Sequence, residues 1–123
     1  MAGLVIRPAS PADQSAMAAA QLAAYWSNID DFAPGAHAQP GYRERVETMA
    51  REDAAGNWRN ASVAEFDGLV VAVCYIEPAP RLLEGLWVLP AFHGRGIGSA
   101  LIKDAVARFR AINAPYVVIE VHP

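Results

Sequence analysis

The sequence predicts an α/β domain, and three observations carry that expectation. Apolar residues run almost unbroken through Val70–Ile76 and Leu86–Leu89, the second run reading as a strand covered on both faces. Asp67-Gly68 separates the expected strands Trp58–Phe66 and Leu69–Glu77, a strong hairpin signal. Further on, Ile102, Ala105/Val106, Phe109 and Ile112 recur at the spacing of one helix face.

Composition sets the bounds. With 123 residues, 54% hydrophobic and 19% charged, the chain is expected to fold as one domain over 1–123 and not as a disordered segment. Ten basic against thirteen acidic residues give a net charge of −3 without any basic run, which argues against a nucleic-acid partner. No apolar run reaches the ~20 residues of a membrane span, and no signal-peptide pattern opens the chain. The single cysteine, Cys74, excludes an internal disulfide and fits a reducing cytoplasm. It lies inside an apolar strand, where a buried core thiol is expected.

In order, Leu4-Val5-Ile6-Arg7 reads as a short strand stopped by Pro8. Ser10-Pro11-Ala12-Asp13 is a helix start, with a Ser N-cap, Pro at N1 and an acid at N3. The alanine-rich helix is expected to reach about Trp26, and Ser27–Gly41 to be a loop. A second helix covers Tyr42–Asp53 with Val46 and Met49 inward, broken by Gly56-Asn57. Strands follow at Trp58–Phe66, Leu69–Glu77 and Arg81–Leu89, with Pro78-Ala79-Pro80 as a turn. A helix from Ser99 to Ile112 and a last strand, Tyr116–Val121, complete the order.

The chemistry concentrates between the third of those strands and that helix. Pro90 ends the strand, and Gly94, Gly96 and Gly98 stand at alternate positions before the helix. The first turn of a helix has N–H groups without internal partners and the positive end of the dipole, so an anion is stabilised there. Each hydrogen bond to a charged acceptor contributes about 1.5–3 kcal/mol, and Arg95 adds a charge-assisted contact. A tight turn that simply needs small residues is the alternative. The spacing fits neither a Walker loop, which needs Gly-Lys-Ser/Thr, nor a dinucleotide fingerprint, because Ser99 stands where the last glycine belongs.

His93-Gly94-Arg95-Gly96-Ile97-Gly98 resembles the acetyl-CoA loop of the GNAT superfamily of N-acetyltransferases, Gln/Arg-x-x-Gly-x-Gly/Ala, with His93 in place of the first Gln or Arg. Leu86–Pro90 is similar to that family's fourth strand and Ser99–Ile112 to its next helix. The resemblance implies a GNAT-type fold, a mixed central sheet flanked by helices, from the first strand through the fifth. It also implies that the last helix and two strands usual in the family are missing, so that the chain is C-terminally truncated. Implied functions are binding of acetyl-CoA by Leu86, Trp87, Val88, His93, Gly94, Arg95, Gly96, Ile97, Gly98 and Ser99, and acetyl transfer to a small-molecule or peptide primary amine. Such transfer needs a base, because an amine of pKa ~10 is protonated at neutral pH. Glu84, two residues before Leu86 and expected on its face, is the first choice, and Glu120 the second. The family's thiolate-protonating tyrosine belongs to the missing helix. A degenerate acyl-CoA-binding module and a fragment of a longer acetyltransferase are the alternatives, and a homodimer through Tyr116–Val121 is a further expectation.

Tyr25, Trp26, Asp30, Asp31, Phe32 and Tyr42 form an aromatic and acidic group; by the same resemblance they shape an acceptor pocket, and a solvated loop is the alternative. His37 and His122 have no metal-ligand spacing with each other or with Cys74, and no metal site is expected.

Overall fold

The chain is organised around Leu69–Glu77 (β3), the strand with the longest buried run: Val71 through Ile76 are all buried. A computed structural model describes residues 3–32, 34–77, 82–113 and 118–119. The side chains of Asp30, Asp31, Phe32 and His37, the Pro78-Ala79-Pro80 turn, Glu120, His122 and most of the Tyr116–Val121 strand lie outside the described residues.

Around β3 the sheet runs in sequence order. Leu4–Pro8 (β1), Ala61–Phe66 (β2), β3 and Leu82–Val88 (β4) are antiparallel neighbours, and Val118–Ile119 (β5) pairs parallel to β4 at Leu82 and Leu83. This is a mixed sheet, and helices cover both faces. Gln14–Phe32 (α1) and Tyr42–Asn57 (α2) lie on one, and Ile97–Ala111 (α3) on the other.

The alternation along β3 divides the core. Cys74 and Ile76 join Leu101, Ala105 and Phe109 on the α3 side, whereas Val73 and Tyr75 join Met17, Ala50 and Ala54 on the other. Two extra residues interrupt that alternation. In β3, Val71 is inserted between partners of Ala64 and Glu65. In β4, Tyr75 faces Gly85 but Ile76 faces Leu83, so Glu84 has no cross-strand partner. That is a bulge, which bends a strand and re-aims its side chains.

The helices depart from expectation at their ends. Helix α1 continues to Phe32 instead of stopping near Trp26. The turn-forming side chains there bond within the helix, Ser27 Oγ donating to the Ala24 carbonyl at 2.7 Å and Asn28 Nδ2 to the same oxygen at 3.3 Å. Buried Ile29 anchors the extension. Helix α2 runs through Gly56 because Ala54, fully buried, holds the last turn down, and Trp58–Asn60 forms a 3₁₀ turn and not the start of β2. Its inward stripe is Val46, Ala50 and Ala54; Met49, one position off that stripe, is 55% exposed. Helix α3 starts at Ile97, two residues early, because Ile97 is the first of its buried stripe with Leu101, Ala105 and Phe109, and Ile112 is left exposed.

Two polar clusters fix the helices to the sheet. Ser62, buried beneath α3, accepts from Arg108 Nη1 at 2.7 Å and donates to Asp104. At the other end, Arg7 grips Asp13 with both terminal nitrogens (2.7 and 2.9 Å) and also Glu65 (2.7 Å). Asp13 accepts in addition from the Ser10 N–H at 2.7 Å, closing the capping box that begins α1. The hydrogen bonds from Arg7 hold the Asp13 carboxyl down at about 2.

A carboxyl whose folded pKa is depressed stabilises the fold above its unfolded value of about 4, and that contribution is lost as the pH falls to about 2. Asp13→Asn is therefore expected to cost about 2 kcal/mol at pH 7. The gap from wild type should close between pH 4 and pH 2, as read by urea unfolding across that range.

Candidate active site

The glycine loop leaves β4 through the 3₁₀ turn Pro90–Phe92 and enters α3 at Gly96. Gly94 (φ +75°) and Gly96 (φ +79°) occupy the left-handed region, where a side chain is strained. Gly96 is the N-cap of α3 and offers no capping side chain, so the N–H groups of the first turn at Ile97, Gly98 and Ser99 have no side-chain acceptor from it. Those residues open onto a shallow cavity of about 320 Å³, whose other walls are Val88, Phe92, His93, Gly94 and Gly96.

Gly98 is different in kind. Its backbone is ordinary helix, and a Cβ built there meets nothing nearer than Leu86 Cδ2 at 3.7 Å. The fold itself thus tolerates alanine, which would favour the helix by about 1 kcal/mol. What glycine retains at this place is close access to the first-turn backbone, the property that an anion-binding site uses.

Seven of the ten residues expected to hold the cofactor border this cavity: Val88, His93, Gly94, Gly96, Ile97, Gly98 and Ser99. The other three point elsewhere. Leu86 packs into the α3-side core, Trp87 joins the core on the α1–α2 side, and Arg95 lies over Phe92 at 5.0 Å and Phe66 at 6.0 Å. The His93 ring is also engaged, its Nε2 lying 2.8 Å from the Val88 carbonyl. A carbonyl only accepts, so Nε2 carries the proton, and the ring ties the loop to the end of β4. Phe92, which the sequence pattern does not single out, lines the cavity and supports Arg95.

Leu86, Trp87 and Val88 are half-buried, contrary to the expectation of a strand covered on both faces. Among the described residues β5 pairs with β4 only at Leu82 and Leu83.

On the opposite face of β4 lies a second, smaller cavity of about 100 Å³, reached by Glu84, Gly85 and Trp87 together with Gln21, Asp53, Asn57 and Tyr75. Glu84 was expected to share Leu86's face. The bulge overturns this, because the additional residue puts Glu84 and Gly85 together on the Trp87 side. Partial burial of the Glu84 carboxyl, then the neighbouring charges of Glu77 and Asp53, raise its pKa above the usual carboxylate range. Aromatic rings extend this face. Tyr25 lies 6.4 Å from Trp87 and 5.3 Å from Trp26, and its hydroxyl bonds to that of Tyr42. Burial, followed by that hydrogen bond, pushes the Tyr25 hydroxyl up to about 12.

Cys74 is buried and its thiol is pushed up to about 12, first by burial. It is a core residue. Among the described residues no three His, Cys, Asp or Glu side chains are placed to hold a metal, and no helix is long and apolar enough to cross a membrane.

Comparison with known proteins gives this arrangement of mixed sheet, glycine loop and helix start its class, that of the acetyltransferases. The family model described as the acetyltransferase (GNAT) family matches residues 22–123, and the chain belongs to that family. None of the curated proteins compared matches it. Among solved structures it is similar to a GCN5-related N-acetyltransferase from Rhodopseudomonas palustris, at TM-score 0.76 and 22% identity over 98% of this chain and 74% of that one. The PaiA N-acetyltransferase of Thermoplasma acidophilum, solved with coenzyme A, gives 0.78 and 14% over 97% and 79%. A GNAT family acetyltransferase of Brucella melitensis, solved with acetyl-CoA, gives 0.70 and 26% over 98% and 77%.

The two kinds of glycine separate experimentally. Gly96→Ala should lose about 1 kcal/mol through its positive φ, whereas Gly98→Ala should gain about 0.5–1 kcal/mol through helix propensity. Thermal unfolding of the two variants beside wild type reads both signs.

Proposed function

We propose that this protein is an acetyl-CoA-dependent N-acetyltransferase whose acceptor is a primary amine. The observation that carries the reading is the placing of two cavities on opposite faces of one half-exposed strand segment, Glu84–Val88. One has an uncapped helix start and the other a carboxylate. The complexes of two structural neighbours with coenzyme A and acetyl-CoA support the choice of donor.

The residues present suit that donor. First-turn amides of Ile97, Gly98 and Ser99 receive the pyrophosphate, with no methyl at Gly98 to hold it away. Arg95, stacked on Phe92 at the rim, supplies positive charge. The main chain of Leu86, Trp87 and Val88 in β4 receives the pantetheine arm. When bound, acetyl-CoA supplies an activated acetyl group and a thiolate that departs with the C–S electrons and takes up the proton that nitrogen releases.

Glu84 is the base in this reading. The amine arrives as an ammonium, and the Glu84 carboxylate accepts one proton from it, becoming the neutral acid and freeing the nitrogen lone pair to form the N–C bond. Its raised pKa makes Glu84 a stronger proton acceptor than an ordinary surface carboxylate. A backbone N–H of the strand stabilises the oxygen charge that develops as nitrogen attacks.

Ser99 tests the donor site cleanly. Glutamate at this exposed N3 position favours the helix dipole yet repels a pyrophosphate. Acetyl-CoA at ~100 times its Kd should stabilise the wild type by about 2.7 kcal/mol. The Ser99→Glu variant should fold at least as well and lose that shift; an undiminished shift would place the donor elsewhere.

Glu84→Gln should leave acetyl-CoA stabilisation intact and lower kcat/KM at neutral pH by about 100-fold. In the wild type the rate should fall as the pH drops through the raised Glu84 pKa, since only the carboxylate accepts a proton. A coupled thiol-release assay against pH measures both.

A further inference from the structure

The small cavity beside β4 contains polar groups that the fold does not use. Tyr75, 4% exposed, has a hydroxyl without any hydrogen-bond partner among the described residues, and the same holds for Oε1 of Gln21, 8% exposed. The Gln21 amide is oriented by Asp53. A carboxylate only accepts, so Nε2 donates to Asp53 Oδ2 at 2.9 Å and Oε1 is left over. Buried polar atoms normally have partners, and an unmade bond costs about 1–3 kcal/mol. The two residues that carry these atoms, on two different elements, line one cavity together with Asp53 and Glu84.

We infer that this cavity is an ammonium site, in which Asp53, Glu84, the Tyr75 hydroxyl and the Gln21 carbonyl oxygen receive the cationic end of an unbranched aliphatic amine. The site deepens the acetyltransferase reading and rests on it for the identity of the bound amine as acceptor. The four groups assigned to the ligand can all accept: two carboxylates, an amide oxygen, and a phenol oxygen that accepts as well as donates, while Asn57 and the Trp87 indole complete the wall. An ammonium has three donors and no acceptor, and it neutralises the negative charge that Asp53 and Glu84 impose on each other. An anion finds no cationic side chain among the residues lining the cavity.

Volume narrows the class. About 100 Å³ corresponds to roughly three water molecules at ~30 Å³ each. That accommodates a terminal CH₂–NH₃⁺ group entering end-on, whereas a group branched at the carbon next to nitrogen presents a wider end. The Trp87 indole and the Tyr25 ring beyond it give the methylene chain an apolar wall. The substrate class is thus a linear alkylammonium, such as the end of a diamine or of a lysine side chain.

The test uses the full chain without acetyl-CoA, titrated with n-butylammonium chloride and followed by amide and indole NMR shifts. Wild type should bind n-butylammonium about tenfold or more tightly than the neutral isostere n-butanol, and tighter than tert-butylammonium. Asp53→Asn, which keeps an oxygen for Gln21, should weaken n-butylammonium about tenfold. Tyr75→Phe should weaken it about threefold to tenfold while leaving the thermal midpoint unchanged or higher, because the hydroxyl removed has no partner among the described residues. Equal binding of butanol or tert-butylammonium, or wild-type affinity in Asp53→Asn, would overturn the proposal. So would a lower thermal midpoint in Tyr75→Phe without loss of affinity, since the hydroxyl would then be structural. If acetyl-CoA stabilises the protein but n-butylammonium does not bind, this site is wrong and the donor reading stands; the reverse result condemns the donor reading alone.

Discussion

The interruption of β4 at Glu84 is the constraint on which both sides of the site depend. In an uninterrupted strand, side chains at positions 84 and 86 would share a face, and the carboxylate would lie under α3 with Leu86. One unpaired residue reverses that. It turns Glu84 and Gly85 toward Trp87 and Tyr75, while leaving Leu86 and Val88 against the α3-side core. A single segment of strand thereby borders a phosphate-sized opening on one side and an acidic hollow on the other, with its own backbone half-exposed between them.

Such a segment needs rigid support, because residues 85–88 are only half-buried. The support comes from β3, buried on both faces, and from helices fixed by polar contacts at their far ends. Arg108 and Asp104 hold α3 to Ser62 of β2, and the Arg7–Asp13–Glu65 cluster holds the start of α1 to β1 and β2. These charges lie away from the two cavities. They are paired within the fold, whereas the Tyr75 hydroxyl and Gln21 Oε1 have no partner among the described residues and border the proposed acceptor site. The contrast between satisfied structural polarity and unsatisfied polarity at the site is itself a physical signature of function.

Much of this was legible in the sequence because the signals were local. Asp67-Gly68 makes the expected hairpin with both residues at positive φ, the Ser10–Asp13 capping box forms, and the glycine loop joins strand to helix as its spacing implied. What was not legible depended on tertiary packing or on register. Helix α1 passed Ser27 and Asn28 because their side chains found the Ala24 carbonyl and Ile29 was buried. The face of Glu84 follows from a bulge, which period-two reasoning does not contain. Asp53 and Tyr75 were missed because one reads as a solvated helix carboxylate and the other as one more ring in an apolar strand. The hydroxyl inside that strand was the available clue.

Gly85 adds a consequence for how such a pocket diversifies. A Cβ at this position would stand 2.9 Å from Trp87 Nε1, closer than the rigid indole allows. The missing methyl is therefore a gauge that sets the clearance between strand and ring. Any larger residue there would swing the indole outward and reshape the hollow without touching a carboxylate. Under the proposed reading, acceptor preference becomes adjustable at a single glycine of the cavity wall, and the donor side of the strand need not change with it.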